Sequence, residues 1–190
     1  MDAWVSKYIT AQKKTYDSIP VAKVSKLIEK FREALEKDKK IFIFGNGGSA
    51  ASASHFATDL GKSASKKVGK HFRVMSLNDN VSWMTALAND DSYEDVFLGQ
   101  LKNYASPGDI AFGISVSGNS PSCVQALTWA RNNGLETVAL VGGGKGAMAE
   151  IAHEVIVIKD DHYGRVEDAH MTICHILAYA FVENSKLIVN

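Results

Sequence analysis

Apolar residues recur along this chain in two rhythms, and the change comes near residue 40. Before it the spacing is helical. Trp4, Tyr8, Ile9 and Tyr16 fall on one stripe, and after the break at Ser18-Ile19-Pro20 the residues Val24, Leu27, Ile28, Phe31 and Leu35 recur three and four apart. Charged residues between them, such as Lys30, Glu33 and Lys37, are expected to face water. From residue 40 short apolar, β-branched runs take over, at 41–44, 72–77, 110–114, 137–141 and 155–158. Most are nearly continuous in apolar character, as strands buried on both faces are. The stretches between them are long enough for helices. This alternation predicts an α/β fold: a doubly wound, five-stranded parallel sheet with right-handed crossovers. A helical pattern from about residue 166 to Ser185 closes the chain. Residues 1–39 read as a helical extension and 40–190 as one globular unit. The two N-terminal helices must cover their apolar stripes, either on their own sheet or in a bundle shared between copies.

Composition narrows the function classes. The 190 residues carry 21 Lys and Arg against 21 Asp and Glu, with 46% hydrophobic and 22% charged residues. A disordered chain has fewer apolar residues. A neutral balance offers no electrostatic footprint for nucleic acid or an anionic membrane. No apolar run approaches the roughly 20 residues that span a bilayer. The opening MDAWVSKYITAQKK is polar and mixed, unlike a secretory signal. Cys123 and Cys174 make neither a disulfide framework nor a paired-cysteine zinc site. The expectation is a soluble, cytoplasmic protein with no nucleic-acid or membrane partner.

In an open parallel sheet the ligand lies beyond the C-terminal ends of the strands, so the residues after each strand carry most of the information. Gly45-Asn46-Gly47-Gly48-Ser49-Ala50 follows the first run, Ser115-Val116-Ser117-Gly118-Asn119-Ser120-Pro121 the third, and Gly142-Gly143-Gly144-Lys145-Gly146 the fourth. In the second of these, Ser120 is placed to cap a helix and Pro121 to begin it, with Asn133-Gly134 ending that helix. Ser115, Ser117 and Ser120 then crowd hydroxyls at a helix N-terminus, where free N–H groups and the dipole attract an anion. The plain alternative is a capped turn with solvated serines. The first loop has two readings. Gly45, Gly47 and Ala50 satisfy a permissive dinucleotide spacing, with Asp79 as the acidic ribose partner. Alternatively it is a sugar-phosphate loop, in which glycines allow close backbone approach and Asn46 and Ser49 touch the ligand.

Two helices carry imidazole and carboxylate together. His55 and Asp59 are four apart on one face, with Ser52 near it. At about 100° per residue, His175 falls about 80° from Glu167, so both can enter one cleft from the last helix, with His170 at the edge of that arc. Such a donor set suits zinc or another divalent metal. The alternatives are a surface pair for the first helix and a polar face at a subunit contact for the second. His71, His153 and His162 have no comparable arrangement and are expected at the surface.

Gly45-Asn46-Gly47-Gly48-Ser49 and Ser115-Val116-Ser117-Gly118-Asn119-Ser120 resemble the sugar isomerase (SIS) domain. With His55, Ala88-Asn89-Asp90 and the helix from Glu167 to His175, they resemble its phosphoheptose isomerase branch over nearly the whole chain. The resemblance implies the SIS fold, with N-terminal helices forming an oligomer bundle in a homotetramer and active sites at subunit contacts. It implies conversion of sedoheptulose 7-phosphate to D-glycero-D-manno-heptose 7-phosphate. Phosphate contacts are implied at Ser115, Ser117 and Ser120, and substrate contacts at Asn46, Gly47, Gly48, Ser49, Asp90 and Glu167. The metal ligands implied are His55, Asp59, Glu167 and His175. The chain departs from the family in four places. Asp59 replaces a glutamate and is one methylene shorter; Glu167 replaces a glutamine and adds a negative charge; Gly164 replaces an acidic residue; and Val116 removes one hydroxyl from the serine loop. The leading expectation is an aldose–ketose isomerase working through an ene-diol, with Asp59 as base and His175 as acid. The rivals are a non-catalytic SIS-domain regulatory or assembly protein that binds sugar phosphate or a protein partner, and a nucleotide-binding oxidoreductase.

Overall fold

The computed structural model describes residues 1–184 and Leu187. Pro20, whose ring cannot continue a preceding helix, separates α1 (Asp2–Asp17) from α2 (Val21–Glu36). The remainder alternates strand and helix. β1 (Lys40–Gly45) leads into α3 (Gly48–Thr58), a π-helical turn (Asp59–Ala64) and the short α4 (Ser65–Val68). β2 (Arg73–Ser76), α5 (Val81–Asp90), a 3-10 turn (Tyr93–Asp95) and α6 (Leu98–Tyr104) follow. β3 (Ile110–Ser115), α7 (Pro121–Asn132), β4 (Glu136–Val141), α8 (Gly146–Ile151), β5 (Glu154–Val157) and α9 (Tyr163–Glu183) complete the chain. The predicted end of the last helix at Ser185 lies outside the described residues.

The five strands form one all-parallel sheet in the order β2-β1-β3-β4-β5. Strand alternation divides the core. Ile41 and Ile43 of β1, Phe112 of β3 and Leu140 of β4 join one layer, with Leu27 and Phe31 of α2, Phe56 of α3, and Ile173 and Leu177 of α9. Phe42 and Phe44 face the opposite layer, with Phe97, Leu101, Leu127 and Met148. Burial on both faces explains the continuous apolar runs. The exception is β2, an edge strand with one neighbour, in which Arg73 and Met75 are exposed and regular pairing is shorter than the 72–77 run.

The N-terminal pair divides its labour. α2 packs into its own sheet, with the Phe31 ring 5.9 Å from both Phe56 and Phe112. α1 is the reverse of the usual amphipathic helix: its buried residues are Gln12 and Thr15, whereas Trp4 is 63% and Ile9 51% exposed. Polar contacts fix that inner face. Gln12 Nε2 donates to the Arg165 carbonyl at 3.2 Å, and the Thr15 hydroxyl donates to Asp160. The predicted stripe of Trp4, Tyr8, Ile9 and Tyr16 therefore exists but is not covered by its own chain, and Tyr8 alone among the four is half-buried. Among the described residues, no helix is long and apolar enough to cross a membrane.

Candidate active site

The strand order reverses direction between β1 and β3, so the loops that leave those strands diverge and open a crevice at their C-terminal ends. Gly45 pairs with Ile114, which sets Asn46 level with the start of the serine loop. A cavity of about 330 Å³ lies there, walled by Asn46, Gly47, Gly48, Ser49, Ser115 and Ser117 and closed by Ser120, Tyr163 and Glu167.

Its first wall is a tight turn. The Ser49 N–H donates to the Asn46 carbonyl at 3.1 Å, and Gly47 between them has φ 56° and ψ −122°, the first central position of a type II′ turn, which favours glycine. The second wall is the serine loop. Ser120 occupies the N-cap position of α7 and Pro121 its first turn, as the sequence predicts, but the Ser120 hydroxyl does not cap the helix. It lies 3.2 Å from Ser115 Oγ, which is also 3.4 Å from Ser117 Oγ and accepts from the Gly118 N–H at 3.2 Å. Three hydroxyls thus converge at the N-terminus of a twelve-residue helix, where the helix dipole favours an incoming anion.

The third wall is the first turn of α9. Arg165 forms a two-point ion pair with Asp160, at 2.7 and 2.8 Å, and holds that carboxyl well below the usual carboxylate range. Partial burial opposes this shift, while the Thr15 hydroxyl and His162 N–H reinforce it. The pair anchors the turn that carries Glu167. The Glu167 carboxylate covers the start of α3 so closely that a Cβ on Gly48 would fall 2.5–2.7 Å from its carboxyl atoms. A negative charge thereby sits at one helix N-terminus in the cavity, leaving the α7 end free.

Farther along, α3, the π-helical turn that continues it and α9 bring His55, Asp59 and His175 together, with potential ligand atoms all within 4.8 Å of one another. Asp59 Oδ2 is 3.5 Å from His55 Nε2 and 3.8 Å from His175 Nε2, and the two imidazoles meet edge to face at 5.0 Å. That carboxylate oxygen is buried and has no hydrogen-bond partner. An oxygen so placed calls for a shared cation, and two imidazoles plus a carboxylate fit zinc or another divalent metal. Asp59 is also the first residue of the π-helical turn, a distortion that recurs at functional sites. His170 shares α9 but not the cavity. It is fully buried, and burial pushes its pKa down to about 4, opposed only in part by the Val141 backbone.

Comparisons with known proteins place the chain in a family. The SIS domain family matches residues 7–142. A curated relative, the "probable phosphoheptose isomerase" of Thermoplasma volcanium, is 37% identical over 91% of this chain and 88% of its own length. The chain belongs to the SIS domain family, in its phosphoheptose isomerase branch. Membership of this branch makes it an isomerase. The phosphoheptose isomerase of Helicobacter pylori is 39% identical over 76% of this chain and 75% of its own. The solved phosphoheptose isomerase of Neisseria gonorrhoeae superposes with a TM-score of 0.87 at 26% identity, over 95% of this chain and 97% of that one.

Within this isomerase the expected residues distribute unevenly. Asn46, Gly47, Gly48, Ser49, Ser115, Ser117, Ser120 and Glu167 line one cavity. Of the four expected metal ligands, His55, Asp59 and His175 converge, whereas Glu167 lies outside that group and against Gly48. Asp90 is exposed at the end of α5, accepts from Asn89 Nδ2 at 2.8 Å, and is absent from the cavity wall. Asp79 accepts from Ser54 and opens instead on a wider cleft of about 700 Å³ beside β2, apart from the glycine turn. That cleft flanks the sheet edge and lacks the serine loop and both imidazoles of the cluster. His71, His153 and His162 are exposed, as expected. Both cysteines are free and buried; burial pushes the Cys123 thiol up to about 12 and Cys174 higher, so neither is a nucleophile. Sequence reasoning passed over Tyr163, Tyr93 and Ser122, each an ordinary aromatic or hydroxyl residue whose place at the site is created by folding.

Proposed function

We propose that this isomerase interconverts sedoheptulose 7-phosphate and D-glycero-D-manno-heptose 7-phosphate. The carrying observation is Asp59: a buried carboxylate oxygen with no hydrogen bond, facing two imidazoles, on the turn that continues α3 from the serine-lined cavity. The phosphate is assigned to Ser115, Ser117 and Ser120 at the α7 N-terminus, where hydroxyls and N–H groups neutralise it without Lys or Arg. Asn46, Gly47, Gly48, Ser49 and Glu167 line the path of the sugar hydroxyls. Glu167 repels an anion from the α3 end and so orients the substrate.

The reaction moves one proton. A base removes it from C1 of the ketose as the C2 carbonyl oxygen gains a proton, giving an ene-diol. Return of a proton to C2, with loss of the O1 proton, yields the aldose. Asp59 acts as the carbon base and His175 as the acid at oxygen. His55, Asp59 and His175 would hold a divalent ion, which when bound polarises the sugar oxygens. Oδ2 of Asp59 faces the imidazoles, so Oδ1 is the atom assigned to proton transfer.

We place the enzyme in the cytoplasm, a compartment in keeping with its two free thiols. We further propose that it works as a homotetramer built on the exposed stripe of α1, with active sites near the contacts. The test of the activity is NMR in heavy water. Metal-stripped protein, with and without added zinc, is incubated with sedoheptulose 7-phosphate. Aldose formation with solvent deuterium at the transferred position, lost in His175→Ala, is the expected result. A folded protein that exchanges nothing in either state fits a binding-only SIS-domain protein instead.

A further inference from the structure

Asn46 follows β1 directly and begins the glycine turn, yet both ends of its carboxamide are engaged within the protein. Oδ1 accepts from the Tyr93 hydroxyl at 3.0 Å, and Nδ2 donates to Ser122 Oγ at 3.0 Å. Ser122 is buried in the first turn of α7, two residues past Ser120. Tyr93 stands on a 3-10 turn that is itself fastened. The Ser92 hydroxyl accepts from the Glu94 N–H at 3.1 Å and donates to Asp95 at 2.9 Å, and Gln125 of α7 donates to Asp95 at 2.8 Å. Val96 and Phe97, which follow, are fully buried. The Tyr93 ring, in contrast, is 57% exposed, so its contribution to the core is small and its hydroxyl is the part with a defined partner.

We propose that Tyr93 is a positioning residue of the sugar-phosphate site. Its hydroxyl holds the Asn46 carboxamide between the 3-10 turn and α7, and so sets the placement of the glycine turn relative to the serine loop. An amide with one end released can swing about the remaining bond; held at both ends, it keeps one position between the 3-10 turn and α7. The glycine turn that Asn46 begins then keeps one placement in the cavity wall before substrate arrives. Asp59 lies eleven residues along the same helical run from Gly48, about 16 Å away. Loss of the tether therefore acts on binding more than on proton transfer. The proposal rests on the phosphosugar reading of the cavity.

Tyr93→Phe removes one oxygen and keeps the ring. KM for sedoheptulose 7-phosphate and the dissociation constant for inorganic phosphate are both expected to rise about fivefold, the worth of one neutral hydrogen bond. kcat falls by less than KM rises, and the unfolding midpoint stays that of the parent chain, which separates positioning from loss of fold. In an Asn46→Ala background the same change has no further effect, because the partner is gone. Unaltered KM and phosphate affinity in Tyr93→Phe, or an equal loss in both backgrounds, overturns the role. If the parent protein isomerises no sugar phosphate, the substrate reading fails, and phosphate affinity alone decides the tether: a loss in Tyr93→Phe upholds it, and no loss, or no binding by the parent chain, rejects it.

Discussion

A buried carboxylate oxygen needs a partner for its charge, and Asp59 Oδ2 has two imidazoles within 4 Å but no hydrogen bond. The shorter side chain is no obstacle to this placement, since the π-helical turn that starts at Asp59 reshapes the helix where the carboxylate emerges. Asp59→Asn keeps the shape and removes the base. Isomerisation followed by NMR should fall about 10²- to 10⁴-fold, the usual worth of a positioned acid or base, with no drop in unfolding midpoint. His170 tests a different residue-scale effect. Its folded value of about 4 lies below the ordinary histidine value, because burial disfavours the charged ring. Between those two values the unfolded chain binds the extra proton and the folded chain does not. Stability is therefore full above about pH 6.5 and declines as pH falls toward 4, by on the order of 3 kcal/mol for this group alone. Urea unfolding at a series of pH values should show that decline in the parent protein and a shallower one in His170→Leu.

At the scale of elements, α1 and α2 illustrate how similar sequence patterns serve unlike ends. α2 packs Phe31 against Phe56 of α3 and Phe112 of β3, whose rings also meet each other at 5.5 Å, joining the N-terminal pair to the sheet. Phe31→Ala leaves a cavity that rigid strands cannot close and should lower the unfolding free energy by about 3–5 kcal/mol in denaturant titration. A much smaller loss would mean that α2 is an appendage to the sheet domain. α1 instead turns hydrogen-bonding groups inward, toward Asp160 and the Arg165 carbonyl, and thereby braces the turn that delivers Glu167 to the cavity. The site is thus held by elements from both ends of the chain.

For the whole molecule, the decisive feature is the change of direction between β1 and β3, which opens one cavity at the end of the sheet. The exposed stripe of α1 adds a second global property. Trp4 and Ile9 expose apolar area, and the helical bundle proposed above would cover it. Replacing both by glutamate should lower the mass measured by light scattering while the far-ultraviolet circular dichroism of the subunit persists. An unchanged mass would move the contact elsewhere, for example to Ile176 and Tyr179, which are also exposed on α9.

The chain's own order of residues was enough to determine much of this protein. Short continuous apolar runs and period-3.6 patterns specify five strands and their helices, because burial on both faces or on one leaves that imprint on the sequence. The glycine turn and the serine loop are contiguous motifs, so their chemistry is legible before folding, as are the His55/Asp59 and Glu167/His175 spacings on single helices. The tertiary structure alone decided what lies between separate segments. It joined His55 and Asp59 to His175 yet set Glu167 apart against Gly48. It turned the Ser120 hydroxyl from capping toward Ser115, tied Tyr93 to Asn46, and buried Gln12 while exposing Trp4. Helical periodicity says which residues share a face but not what that face meets; only packing against distant parts of the chain assigns the partner.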